Sequence, residues 1–246
     1  MGDIKYSMKK VYVVYFRKYV ASIIIAISVF VVGAVAVFGQ TDTILTNNVV
    51  NGVIYSGNEN SNNVSLIINV YWGEEYLDDM LDILKEKKAK ATFFVGGTWA
   101  VKNEDLLKRM KEDGHELGNH GYSHKDCDKL SKQQLEDEIS KTHAIVKCFT
   151  GDEMKLFMPP SGAYDSLTVE VADDLGYKTI MWSRDTIDWR DQNKNLILSR
   201  ATQDGKGGDL ILMHPTLETK NALGEIIDYY ISNGYNLVTV SKNIET

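Results

Sequence analysis

A chain of 246 residues, 43% of them hydrophobic and 25% charged, can bury one sizeable core, as a single α/β domain of this length does. A formal net charge of -7 argues against nucleic-acid binding, which wants a concentrated basic face to neutralise phosphates. Cys127 and Cys148 are too few for a disulfide framework and stand in no CxxC pattern, so one bridge and two free thiols are both open.

The first segment stands apart from the rest. Lys5, Lys9, Lys10, Arg17 and Lys18 precede an uncharged run over residues 19–38, a length that spans a bilayer as a helix. Residues 1–18 read as a cytoplasmic basic tail and 19–38 as a single-pass transmembrane anchor. The positive-inside rule then places everything beyond it outside the cytoplasm, at the cell membrane. The competing reading is a cleaved signal peptide with Ala34-Val35-Ala36 at its cleavage site. Residues 39–63, rich in Asn, Thr, Ser and Gly, suit a linker with one short strand near 49–55.

A folded domain is expected over 64–246. Residues 64–70 form a β-branched run of strand length, and 76–88 carry Leu77, Met80, Leu81, Ile83 and Leu84 in helical register. Further strands are expected at 91–95, 178–182, 209–213 and 236–240. Helices are expected near 106–110, 133–148, 166–175 and 222–232. Alternation of this kind implies parallel strands with covering helices, hence a barrel or an open doubly wound sheet.

Inside that frame, Gly114 to His124 holds three of the five histidines. His120 and His124 are four residues apart, a spacing that lets a helical turn or compact loop aim two ring nitrogens at one ion. Zinc, cobalt and nickel all suit two imidazoles with open positions.

Five blocks in order resemble the polysaccharide deacetylases of the NodB-homology type, carbohydrate esterase family 4. They are Lys90-Ala91-Thr92-Phe93-Phe94-Val95, the Gly114 to His124 stretch, Pro159-Pro160-Ser161-Gly162, Asp185-Thr186-Ile187-Asp188-Trp189, and Leu210-Ile211-Leu212-Met213-His214-Pro215. The resemblance covers roughly 64–244. It implies a distorted (β/α) barrel with fewer than eight complete units, a groove at the C-terminal ends of the strands, and metal-dependent removal of N-acetyl groups from an amino-sugar polysaccharide. By similarity, His120 and His124 are metal ligands and His214 is the general acid, held and tuned by Asp188. Trp189 and Leu212 would wall the acetyl methyl. Pro160 and Ser161 would line the substrate side, the Ser161 backbone N–H contributing to an oxyanion hole. Taken singly, Asp188 serves equally as a turn cap, Trp189 as a core aromatic and His214 as a buried hydrogen-bonded histidine.

The first family motif departs. Where the family has Thr-Phe-Asp-Asp-Gly, this chain reads Ile67-Ile68-Asn69-Val70-Tyr71, so Asn69 takes the general-base position and Val70 the third metal-ligand position. An alternative gap would put Tyr71 and Trp72 there, and restores no carboxylate. The family arginine that orients the base is Met158, a consistent change, because an arginine beside a neutral amide would be an unpaired charge. The altered form resembles a sporulation-type subgroup described as deacetylase-like. Glu74, Glu75 and Asp126 are near enough in sequence to stand in as base or ligand.

The resulting expectation is a metal-dependent hydrolase, with zinc as the first candidate, removing N-acetyl groups from a cell-wall or related polysaccharide at reduced rate. The alternative is a catalytically silent glycan-binding or wall-assembly domain. A carboxylate within reach of both histidines would favour the hydrolase; an apolar wall around Val70 without one would favour the binder.

Overall fold

The computed structural model describes residues 52–245. The expected tail and anchor lie outside the described residues, and among the described residues no helix is long and apolar enough to cross a membrane.

The strands β1 (Val53–Ile54), β2 (Asn63–Val70), β3 (Ala91–Val95), β4 (Glu116–Asn119), β5 (Leu156–Phe157), β6 (Lys178–Ile180), β7 (Arg184–Asp185) and β8 (Leu210–Met213) form one curled sheet. Its order is β1-β6-β5-β4-β3-β2-β8-β7, with every pairing parallel, and β9 (Asn236–Leu237) adds to the start of β2. The ends of this order are β1 and β7, so the sheet is a curled half-barrel, consistent with the distorted (β/α) barrel expected. β1 brings residues assigned to the linker into the sheet, against β6.

Strand pleating sorts the side chains into two cores. Leu66, Ile68 and Val70 of β2, Phe93 and Val95 of β3, and Ile211 and Met213 of β8 pack outward against the helices. Ile67, Phe94, Leu210 and Leu212 point inward and meet Leu156, Met158, Ile180 and Val240. β2 is therefore buried on both faces, which explains its unbroken apolar run.

The helices α1 (Glu74–Glu86), α2 (Gly97–Ala100), α3 (Glu104–Glu112), α4 (Lys132–Thr150), α5 (Ser166–Asp174), α6 (Lys194–Thr202), α7 (Leu217–Ser232) and α8 (Val240–Ile244) complete the chain. In α1, Leu77, Met80, Leu81 and Leu84 make the buried stripe that the sequence period predicts. Ser131 and Gln134 form a capping box that starts α4, and Gly151 in the left-handed conformation ends it. The expected final strand over 236–240 is corrected: pairing stops at Leu237 and the chain turns into α8 at Val240. Cys127 is buried, Cys148 is exposed, and both are free thiols.

Candidate active site

Each site residue leaves the sheet at the C-terminal end of a strand. Asn69 is near the end of β2, His120 follows β4, Asp185 ends β7 and His214 follows β8. They converge on a cavity of about 450 Å³ lined by Asn69, Tyr71, Trp72, His120, His124, Ser161, Gly162, Trp182, Asp185, Trp189, Leu212 and His214. Pro160 sits behind this wall, buried, at the start of a 3-10 turn in which Ser161 has φ +56.

The two expected ligand histidines are together. Their ring centroids are 5.1 Å apart. The Nδ1 of His120 lies 2.8 Å from the carbonyl of Met158. A carbonyl only accepts, so Nδ1 carries the proton and Nε2 is left with its lone pair. Burial, with the nearby His124 second, pushes His120 down to about 3. His124, at φ +55, is also lowered by burial.

The loop between them is pinned by a residue that the sequence reading passed over. Buried Glu138 of α4 accepts from the backbone N–H of Tyr122 at 2.8 Å and of Ser123 at 2.6 Å, and from the Ser123 hydroxyl. Burial pushes the Glu138 carboxyl up, but these hydrogen bonds more than offset it and leave it below its ordinary value. A signal existed: Glu138 shares the buried face of α4 with Leu135, Ile139, Thr142 and Val146, where an unpaired carboxylate would be costly. Asn119 adds support, its Oδ1 accepting from Gly121 N–H at 3.0 Å and its Nδ2 donating to the Ile139 carbonyl at 2.8 Å.

The Asp188–His214 pair that the resemblance implies is formed. Asp188, fully buried, accepts from His214 Nδ1 at 2.8 Å, from the His214 backbone N–H at 2.6 Å and from Thr219 Oγ1 at 2.5 Å. It orients a ring whose Nε2 is then free to act. Thr219, in the first turn of α7, is a second residue that the sequence reading did not single out. Trp189 is 57% exposed at the rim, an open ring rather than a core aromatic, and Leu212 sits on the wall.

The base half is not complete. Val70, the third-ligand position by alignment, is fully buried in the outer apolar layer and does not line the cavity. Met158 is fully buried among inward-facing apolar side chains. Of the three proposed stand-ins, Glu74 and Glu75 lie exposed in the first turn of α1, where they complement the helix dipole. Asp126 is held by Lys129 at 2.5 Å, which lowers its pKa, and is absent from the cavity wall. Asp185 does reach the wall, but from β7, on the far side of β8, β2 and β3 from the strand that delivers His120. Among the described residues no three His, Cys, Asp or Glu side chains form a metal-holding group. A catalytic zinc is held by three protein ligands. Two imidazoles and a neutral amide fall short of that set: His120 and His124 stand together as expected, and the third position offers no carboxylate.

Aromatic rings stand against two of the histidines. Tyr71 lies 4.8 Å from the His124 ring, and Trp72, 44% exposed, stacks on His214 at 6.0 Å and 4°. Two glycines make room for this loop. A Cβ on Gly96 would stand 2.5 Å from the Tyr71 ring, and one on Gly73, at φ +81, would stand 2.1 Å from the Pro215 carbonyl.

A curled parallel sheet carrying an Asp–His pair and an HxxxH loop at its C-terminal edge is the frame of a carbohydrate deacetylase. This chain belongs to the polysaccharide deacetylase family, whose family model matches residues 56–180. It is 39% identical over 189 residues to the uncharacterized protein YlxY of Bacillus subtilis, covering 77% of this chain and 59% of that protein's length. A peptidoglycan-N-acetylglucosamine deacetylase of Bacillus cereus is 32% identical over 173 residues, covering 68% of this chain and 81% of that one. Among solved structures, a CE4 family pseudoenzyme from Bacillus anthracis superposes with a TM-score of 0.76 at 37% identity, covering 78% of this chain and 68% of that one. A mutant of that pseudoenzyme with restored enzymatic activity superposes equally well, with a TM-score of 0.76 at 36% identity over 78% of this chain and 71% of that one.

Proposed function

We propose that this domain binds a cell-wall amino-sugar polysaccharide, peptidoglycan or a related N-acetylglucosamine polymer, and does not deacetylate it at an appreciable rate. One observation carries the reading. The positions of the family's water-activating carboxylates hold Asn69 and Val70, the latter packed away from the cavity, while Trp182, Trp189 and Leu212 line its wall. A neutral amide cannot take a proton from water, and loss of a positioned base costs about 10² to 10⁴ in rate. Trp72, Trp182 and Trp189 around one cavity offer the flat apolar faces on which sugar rings stack. Similarity to a pseudoenzyme, and to a mutant of it in which activity was restored, supports a silent site on an otherwise preserved frame. The apolar run over residues 19–38 supports anchoring to the cell membrane with the domain outside the cytoplasm, next to such a polymer. A second reading, a slow hydrolase, is favoured by the intact His214–Asp188–Thr219 array.

The test is tryptophan fluorescence titration of the full chain, in mild detergent with chelator, against N-acetylglucosamine oligomers and solubilised peptidoglycan. Saturable quenching is expected in the chelator, weakened roughly tenfold by Trp189→Ala, equivalent to about 1.4 kcal/mol. Absence of binding to either glycan overturns the reading.

A further inference from the structure

Aromatic rings continue past the cavity wall, onto a strand that the family match does not include. Tyr55 follows β1 at the C-terminal edge of the sheet, the edge from which the cavity residues leave, and is 46% exposed. Pairing of Ile54 with Ile180, and the Met181 N–H donating to the Ile54 carbonyl at 2.8 Å, set it one strand outside Trp182 of the cavity wall. Its hydroxyl is hydrogen-bonded to that of half-buried Tyr164. Tyr164 follows the turn at Gly162, which packs so close to Trp182 that a Cβ there would stand 2.8 Å from the indole. The family model matches from residue 56, so Tyr55 lies just before it, in the stretch expected to be linker. We propose that Tyr55 and Tyr164 form an outer glycan subsite, beyond the cavity on its β1 side, that holds a further sugar of a long amino-sugar polymer. The proposal rests on the glycan-binding reading above.

The pair is built to receive a ligand at small entropic cost. Tyr55 stands at the end of a paired strand, and Tyr164 stands between the turn at Gly162 and the capping box with which Asp165 starts α5. Their mutual hydrogen bond fixes both side chains before a ligand arrives, so little rotamer freedom is left to lose on binding. Two phenols carry two O–H protons, and the bond between them uses one. The other O–H remains to donate to a sugar hydroxyl, while the exposed ring of Tyr55 offers an apolar face to the C–H side of a pyranose. The pair carries no charge, so it selects for chain length rather than for acetylation. An oligomer that fills only the cavity does not reach it.

Isothermal titration of the full chain, in mild detergent with chelator, against the N-acetylglucosamine trimer and hexamer tests this. The wild-type chain is expected to bind the hexamer roughly tenfold more tightly, more than the extra registers of a longer oligomer supply. Tyr55→Ala is expected to lose most of that gain on the hexamer and little on the trimer. Tyr164→Ala, which leaves β1 itself untouched, is expected to do the same, and Tyr55→Phe, which keeps the ring without the bond, to lose a smaller part. Equal wild-type binding of trimer and hexamer overturns the outer subsite while leaving glycan binding standing, as does a Tyr55→Ala loss that is the same for both oligomers or absent from both. Binding of neither oligomer overturns the glycan-binding reading and this inference with it.

Discussion

At the scale of single residues, the site is divided between what was kept and what was replaced. His214 retains all that a positioned imidazole needs, because the fully buried Asp188 accepts from its ring, from its backbone and from Thr219. Asn69, Val70 and Met158 depart together, and Val70 and Met158 are at home among apolar side chains. Reintroducing the family's carboxylate at position 70 places a charge in the outer apolar layer. Without added metal, Val70→Asp is expected to lower unfolding free energy by about 3 kcal/mol or more, read from urea denaturation. A change within about 0.5 kcal/mol would mean that position 70 reaches solvent or the cavity. The grouping of His120, His124 and His214 on one cavity, with Asp188 behind His214, was legible from the resemblance. Which way Val70 faces was not, since that depends on the pleat of β2, and a one-residue shift moves a side chain to the other face. Asp126 looked available in the sequence because its ion pair with Lys129 is a side-chain choice that spacing does not fix.

At the scale of elements, long periodic segments were readable and short ones were not. β2, β3, β8, α1 and α4 follow the apolar period nearly to their ends. The strands β5 and β7 have two residues each, and β4 has four, too few to show a period. They hold their place by pairing with β4, β6 and β8, information that is long-range. β4 is not among the strands expected from the sequence, because its Gly118 and Asn119 are poor strand formers. Gly118 is there for space, since a Cβ would stand 2.5 Å from the Phe94 ring. The same stretch contains His115, whose Nδ1 accepts from the Ala91 N–H at 3.2 Å where β3 begins. Burial, with Lys90 second, pushes His115 from 6.5 down to about 4. Between those values the unfolded chain holds a proton that the folded chain lacks. Stability from this group is therefore full above pH 6.5 and is lost as pH falls toward 4, at up to about 1.4 kcal/mol per pH unit. Urea midpoints near neutral pH and at about pH 5 should show that loss, and His115→Phe should flatten it. A variant profile parallel to the wild type would contradict the assignment.

At the scale of the whole molecule, a barrel frame presents strand ends to one cavity, and function is set by what stands on those ends. The frame and the family were legible from five ordered blocks, and the matched segment and superpositions agree with them. Activity was not legible to the same degree, because the retained histidines argue for hydrolysis and the altered first motif against it. Val70 packs into the outer layer and none of the three sequence-proposed carboxylates lines the cavity, and the proposed silent site rests on that placement. Acetate release from N-acetylglucosamine oligomers by the full chain with added Zn²⁺ or Co²⁺, beside a His120→Ala, His124→Ala control, tests this most directly. The predicted result is no release above the control while the chain still retains the oligomer. Release that disappears in the control would make this a working metallo-deacetylase and contradict the account.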